Sequence, residues 1–140
     1  MSVELVVDRW IKTAFERGAS DIHIEPTGEE KLRVRIRCDG ALQLLETVSD
    51  APRALARIKV MAGLDVNEKN KPLDGRIHVD GMGRAGLDVR VSIAPCMSGE
   101  KCVLRLIDNS RLGNKLDDIG MTQKMLSVYK PIVSSPNGLI

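Results

Sequence analysis

The 140-residue chain is 43% hydrophobic and carries a formal net charge of +2, which supplies one modest core and no dense positive block to neutralise a run of phosphates. Trp10, Phe15 and Tyr129 are its only aromatic residues, so the core must be aliphatic and bases would find no stacking platform, which argues against a nucleic-acid partner. No apolar run approaches the roughly 18 residues of a membrane span, the N-terminus has no signal-peptide core, and Cys38, Cys96 and Cys102 lack paired CxxC spacing. Reduced thiols in a cytoplasmic protein are expected, with neither a disulfide framework nor a structural zinc site.

From Val3 to Arg17, Leu5, Val6, Arg9, Trp10, Thr13 and Ala14 recur at spacings of three and four, and Gly18 falls where a helix C-cap belongs. From Ser20 the pattern changes to alternation. Asp21, His23 and Glu25 share one face of a strand, Ile22 and Ile24 the other, and Pro26 stops it. Glu29 and Glu30 mark a turn. Leu32, Val34 and Ile36 then alternate with Arg33, Arg35 and Arg37, and Asp39-Gly40 is a hairpin signal ahead of Leu42 and Leu44.

Asp50, with Pro52 two residues on, reads as the N-cap of a second helix whose apolar stripe is Leu55, Ile58 and Met61 or Ala62, closed by Gly63. Arg53, Arg57 and Lys59 are expected mainly off that stripe. Leu64 to Leu73 is polar and reads as an ordered loop. Three more strands are predicted over Arg76 to Val79, Leu87 to Ala94 and Lys101 to Ile107, separated by Gly81-Met82-Gly83 with Gly86 and by Pro95 to Gly99. Thr122 suits the N-cap of a last helix over Gln123 to Val133, ended by Ser134-Ser135-Pro136. The expected fold is α+β, a PAS-like domain of about six mostly antiparallel strands with flanking helices.

The segments Gly18 to Pro26 (GASDIHIEP), Arg33 to Gly40, Arg57 to Val66, Lys71 to Arg76 (KPLDGR), Leu87 to Ser92 and Gly99 to Asp108, in this order and spacing, resemble the second N-terminal domain of the ATPases that power type II secretion and type IV pilus assembly. The resemblance covers nearly the whole chain. It implies that residues 1–135 form that domain and that 136–140, Pro136 to Ile140, begin the connection to a RecA-like ATPase domain. The phosphate-binding pattern GxxxxGK[ST] does not occur in the 140 residues, so hydrolysis would need that further domain. No catalytic residue or metal ligand is therefore assigned here. The wording departs from the commoner pattern at Leu73, where a glutamine would precede Asp74, and this removes a polar side chain from that place.

The resemblance further implies ATP with Mg as the ligand, held mainly by the RecA-like domain, and arginines from the DGR, RVS and GEKxVLR segments directed toward its phosphates. Here these are Arg76, Arg90 and Arg105. Its expected partners are the RecA-like domains of its own and neighbouring subunits in a homo-hexamer, with the inner-membrane secretion or pilus platform contacted indirectly, and its expected location is the cytoplasm. Alternation places Arg90 on the surface face with Asp88 and Ser92, while Arg105 shares a face with Val103 and Ile107. The plain reading of each arginine is a solvated face or a salt bridge worth about 0–1 kcal/mol.

Arg33, Arg35 and Arg37 repel one another and need acidic partners, in this sheet or on a neighbouring subunit. An interface face is the preferred reading. Asp21, His23 and Glu25 could hold a metal only with further ligands nearby, and His78 lies on a distant strand; the resemblance implies instead an element of the fold and of packing between subunits. Two other classes of function remain, a stand-alone PAS-type ligand sensor, which needs an apolar pocket, and a purely structural subunit-interaction module.

Overall fold

The computed structural model describes residues 3–28, 31–81, 86–108, 116–118 and 120–139. The expected turn at Glu29 and Glu30, and Met82 and Gly83 of the glycine-rich turn, lie outside the described residues. Two compact units divide the chain, residues 1–109 and residues 110–140.

The first unit contains helix α1 (Val3–Glu16), strands β1 (Asp21–Pro26), β2 (Lys31–Cys38) and β3 (Ala41–Ser49), helix α2 (Ala51–Met61), and strands β4 (Leu73–Val79), β5 (Leu87–Cys96) and β6 (Gly99–Asp108). The six strands form one sheet in the order β3-β2-β1-β6-β5-β4, and every neighbouring pair is antiparallel. This is the expected α+β architecture and is compatible with a PAS-like arrangement. Edge strands β3 and β4 are joined through α2, so the chain crosses the sheet once between two meanders.

Strict alternation gives the sheet an apolar face and a polar one. Ile22 and Ile24, Leu32, Val34 and Ile36, Val89, Val91 and Ile93, and Cys102 and Leu104 are buried together with Val7, Trp10, Ile11 and Ala14 of α1 and Ala54, Leu55 and Ile58 of α2. Such aliphatic burial, at about 25 cal/mol per Å², is the main force holding the two helices to the sheet. The α1 stripe differs from the expected one. Val7, Trp10, Ile11 and Ala14 face the core, whereas Arg9 is half-exposed and binds Glu46 of β3 at 2.7 Å. Trp10 Nε1 donates to the same carboxylate, so one acid satisfies the indole N–H and fixes the helix to the edge strand.

The two-residue turn Asp39-Gly40 has φ of 49° and 81°, the left-handed pair that a tight hairpin requires. A bulge between Val34 and Arg35 shifts the β2-β3 register, pairing Arg35 with Leu44 and Val34 with Glu46. On the hairpin side of the bulge Leu42 pairs with Arg37 and Leu44 with Arg35, so both leucines stand on the arginine side, at 38% and 62% exposure. Gly18 and Gly63, both at φ 66°, close α1 and α2 as the sequence implied.

Two expectations for α2 are corrected. Asp50 precedes the helix but sits at φ 70° and its side chain makes no capping hydrogen bond; its carboxylate is turned to Arg53 at 3.3 Å. Lys59 is not on the solvent side: it is 1% exposed, with Nζ 2.7 Å from Glu100 Oε1 of β6 and donating to the Glu68 carbonyl at 2.6 Å. A lysine is held inside only when its charge and protons find partners, and these come from two segments distant in sequence.

β4 begins at Leu73, three residues before the predicted strand, and β5 and β6 continue to a two-residue turn at Met97 and Ser98. Leu73, the departure from the resembled pattern, packs against the core and so has an apolar role. A Cβ on Gly75 would lie 2.9 Å from the Ala62 carbonyl oxygen and 3.0 Å from the Ala62 Cβ, so this glycine lets the chain leaving α2 lie directly on β4. In the second unit, helix α3 (Gln123–Val133) is capped by the Thr122 hydroxyl, which accepts from the Met125 amide at 3.3 Å. Lys130 binds Asp117 there at 2.9 Å.

Candidate functional site

On the polar face the antiparallel register aligns charged residues in a row across the strands. Arg76 of β4 is opposite Arg90 of β5, Arg90 is opposite Arg105 of β6, Arg105 is opposite Asp21 of β1, and Asp21 is opposite Arg37 of β2. Directly opposed residues have Cβ atoms about 4.5–5.5 Å apart. The three arginines singled out from the sequence are therefore neighbours, supplied by three strands and two different chain connections. All three are exposed, Arg105 included.

Their pairing differs along the row. Arg105 donates from Nε to Asp21 Oδ1 at 2.9 Å while its side chain stays 68% exposed. Arg76 and Arg90 have no acidic partner among the described residues. Asp88, in the adjacent row, is engaged by His78, with Nδ1 to Oδ1 of 2.7 Å. Like charges directly opposite one another destabilise a sheet, and an arginine fork matches phosphate oxygens with paired donors. Three cations aligned without enough carboxylates form the strongest anion-seeking feature on this face.

The β1-β2 half is arranged otherwise. Glu25 takes both Arg33 at 3.1 Å and Arg35 at 2.8 Å, and Asp21 lies 3.7 Å from Arg37 Nε. The acidic partners expected for this arginine series are thus found within the sheet. Burial works to raise the pKa of Asp21, but hydrogen bonds from Arg105 and Ser20 and the Arg105 charge outweigh it and hold the carboxyl below its ordinary value. Glu25 follows the same balance, with burial opposed by Arg35 and Arg33 and a net lowering. His23, between them, is lowered by burial and by Arg37, and its Nε2 is buried without a hydrogen-bond partner. The two carboxylates of this trio are committed to arginines, and no cluster of metal-binding side chains occurs among the described residues.

Sequence reasoning missed the Lys59–Glu100 pair. It lines a groove of about 720 Å³ between the start of α2, the loop before β4 and the β5-β6 turn, with Asn67, Lys69 and Asn70 also on its walls. Lys59 lies four residues after Leu55 on the buried side of α2, but its charge argues for solvent, and the acid that offsets that charge, Glu100, is 41 residues away. Of the cysteines, Cys96 is exposed and Cys38 and Cys102 are buried, all as free thiols; burial pushes the Cys102 thiol far above its ordinary pKa, with Glu100 adding to the shift.

Residues 1–140 match the family of Type II/IV secretion system proteins throughout, and the chain belongs to that family. It is 38% identical over 136 residues to the Type IV pilus assembly ATPase PilB of Pseudomonas aeruginosa, covering 96% of this chain and 24% of that protein. It is 40% identical over 137 residues to the Type II secretion system ATPase E of Vibrio cholerae, covering 96% and 27%. The chain thus spans about a quarter of the length of these relatives. Among solved structures, the Legionella pneumophila ATPase DotB superimposes with a TM-score of 0.68 at 17% identity over 88% of this chain and 34% of that one. The pilus retraction motor PilT with bound ADP gives 0.55 at 20% identity over 84% and 33%. These likenesses establish the fold. No helix among the described residues is long and apolar enough to cross a membrane.

Proposed function

We propose that this domain is the nucleotide-clamping and regulatory part of a hexameric cytoplasmic ATPase that powers type II secretion or type IV pilus assembly. In this reading ATP and Mg are bound mainly by a RecA-like domain of the longer protein, and Arg76, Arg90 and Arg105 approach the phosphates from the sheet's polar face. Phosphoryl transfer gathers negative charge on the γ-phosphate oxygens, which permanently charged guanidinium forks offset. Because the arginines stand on a domain separate from the phosphate-binding loop, hydrolysis depends on closure of one domain on the other. Contacts to neighbouring subunits then carry nucleotide state around the ring, and the inner-membrane platform is reached through partners.

The observation that carries this reading is the row Arg76, Arg90, Arg105, directly opposed across three strands, with no acidic partner for Arg76 or Arg90 among the described residues. A structural interaction module would need no such alignment. A small-molecule sensor would use the groove beside α2, where Ala51, Leu55 and Val66 stand with the buried Lys59–Glu100 pair, and would make no use of the arginine row.

The test joins this chain to its RecA-like domain and titrates a nonhydrolysable ATP analogue. Arg76→Ala and Arg90→Ala should each weaken affinity by about tenfold or more, the scale of a lost charge-assisted contact, and lower the ATPase rate. Unchanged affinity and rate in both variants would remove the proposal.

A further inference from the structure

Two carboxylates on β1 divide the arginines of the polar face into committed and available groups. Glu25 Oε1 and Oε2 accept from Arg35 Nη2, both at 2.8 Å, and Oε2 also accepts from Arg33 at 3.1 Å. Arg37 uses Nη1 on the Gly40 carbonyl at 2.9 Å and places Nε 3.7 Å from Asp21 Oδ2. Asp21 is 6% exposed and its other oxygen, Oδ1, takes the Nε of Arg105. The Ser20 hydroxyl donates to Asp21 Oδ2 at 2.8 Å. The acid is thus fixed by its neighbours before any ligand arrives.

The atom used by Arg105 is the informative detail. A guanidinium can meet an anion along its Nε edge or by its terminal nitrogens. Here the edge is occupied by Asp21, and both terminal nitrogens of a 68% exposed side chain have no partner among the described residues. Resting on the clamp reading above, we infer that Asp21 is a positioning residue: it holds Arg105 by Nε and leaves its terminal nitrogens beside Arg90 and Arg76 to take a phosphate oxygen. Its role is orientation through another residue, since a carboxylate cannot itself contact the anion favourably. An exposed arginine otherwise loses rotamer freedom on binding, so a guanidinium fixed in advance binds more tightly for the same contacts.

This role and a plain electrostatic one predict opposite signs. Removing a negative charge beside a basic site strengthens anion binding if only the field matters, whereas it weakens binding if Asp21 aims Arg105. The experiment is calorimetric titration of the 140-residue chain with inorganic tripolyphosphate at low ionic strength, the fold of each variant being checked by its amide spectrum. Arg76→Ala and Arg90→Ala should weaken binding. Asp21→Asn should weaken it about threefold or more in the otherwise natural chain and not at all with Arg105→Ala present, a coupling of the size found between contacting residues.

Should Asp21→Asn fail to fold, Arg105→Lys replaces it: the charge is kept but the Nε anchor and the terminal fork are lost together, and a loss of similar size is expected. Equal or tighter binding by Asp21→Asn, or undiminished binding by Arg105→Lys, overturns the positioning role while the clamp reading stands, provided the Arg76 and Arg90 variants respond. If neither of those responds, the clamp reading fails and the inference fails with it.

Discussion

On β2, Arg33 and Arg35 share Glu25 and Arg37 lies near Asp21; on β4 and β5, Arg76 and Arg90 stand opposite one another with no carboxylate bound to either among the described residues. Each half of the sheet face carries three arginines, yet on β2 every one lies within 4 Å of a carboxylate and on β4 to β6 only Arg105 does among the described residues. The difference arises from β1, whose Asp21 and Glu25 reach arginines on both flanking strands but cannot reach past β6. Local neutralisation makes the β1-β2 half part of the scaffold. Unmet charge makes the β4-β6 half a place where an anion lowers the energy of the assembly.

The largest effect that would break this comparison is mechanical. Gly75→Val drives a branched side chain into the Ala62 backbone, 2.9 Å from where its Cβ would stand, and should cost about 1–3 kcal/mol in urea unfolding while displacing Arg76 from the row. Next, Arg90→Glu places a carboxylate between Arg76 and Arg105 and gives this half the character of the other. Stability should rise by about 0.2–1 kcal/mol as repulsion becomes attraction, while nucleotide affinity of the two-domain protein falls; a gain in both would show that the cationic half has no anion to bind. Glu25→Gln is the converse change. It releases Arg33 and Arg35, costs about 0–1 kcal/mol for pairs this accessible, and should leave nucleotide affinity nearly unaltered.

The pH dependence sharpens the contrast with the smallest effects. Asp21 and Glu25 have folded-state pKa values below their ordinary 3.8 and 4.5, so the stability they add is complete above that range and is lost as pH falls through the lowered values. His78 has the opposite sign: its hydrogen bond to Asp88 raises it above 6.5, so its contribution is complete below that value and fades as pH rises through the raised one. Urea unfolding midpoints from pH 3 to pH 8 would read both slopes, and a midpoint flat below pH 4.5 would contradict the role given to Glu25.

Much of this architecture was legible in the sequence because its signals are local. The alternation through Asp21 to Pro26 and Lys31 to Cys38, the Asp39-Gly40 turn, the Thr122 cap and the glycines ending both early helices each depend on residues a few positions apart. The identity of Arg76, Arg90 and Arg105 as a set came from resemblance, but their alignment could not, since register between strands is decided by packing on the other face. Asp21 was read as part of a trio with His23 and Glu25, whereas its chief partner is Arg105, 84 residues away. Lys59 is similar: it lies four residues after Leu55 on the buried side of α2, but its charge argues for solvent, and the acid that keeps it inside belongs to β6. Asp50 was misjudged more subtly, because a good capping residue type was placed in a left-handed conformation that turns its side chain away from the helix.

The central seam of the sheet joins β1 to β6, the first strand to the last. A chain emerging from the ribosome can form the β1-β2-β3 meander early, from contacts close in sequence, but β1 keeps one edge unpaired until Gly99–Asp108 has been made. Closing that long loop is slow relative to hairpin formation. The arginine row belongs to the β4-β5-β6 meander and can form from contacts close in sequence, but Arg105 meets its anchor Asp21 only when this seam closes. Each meander can form by itself, and the contact that orients Arg105 exists only once the two are joined.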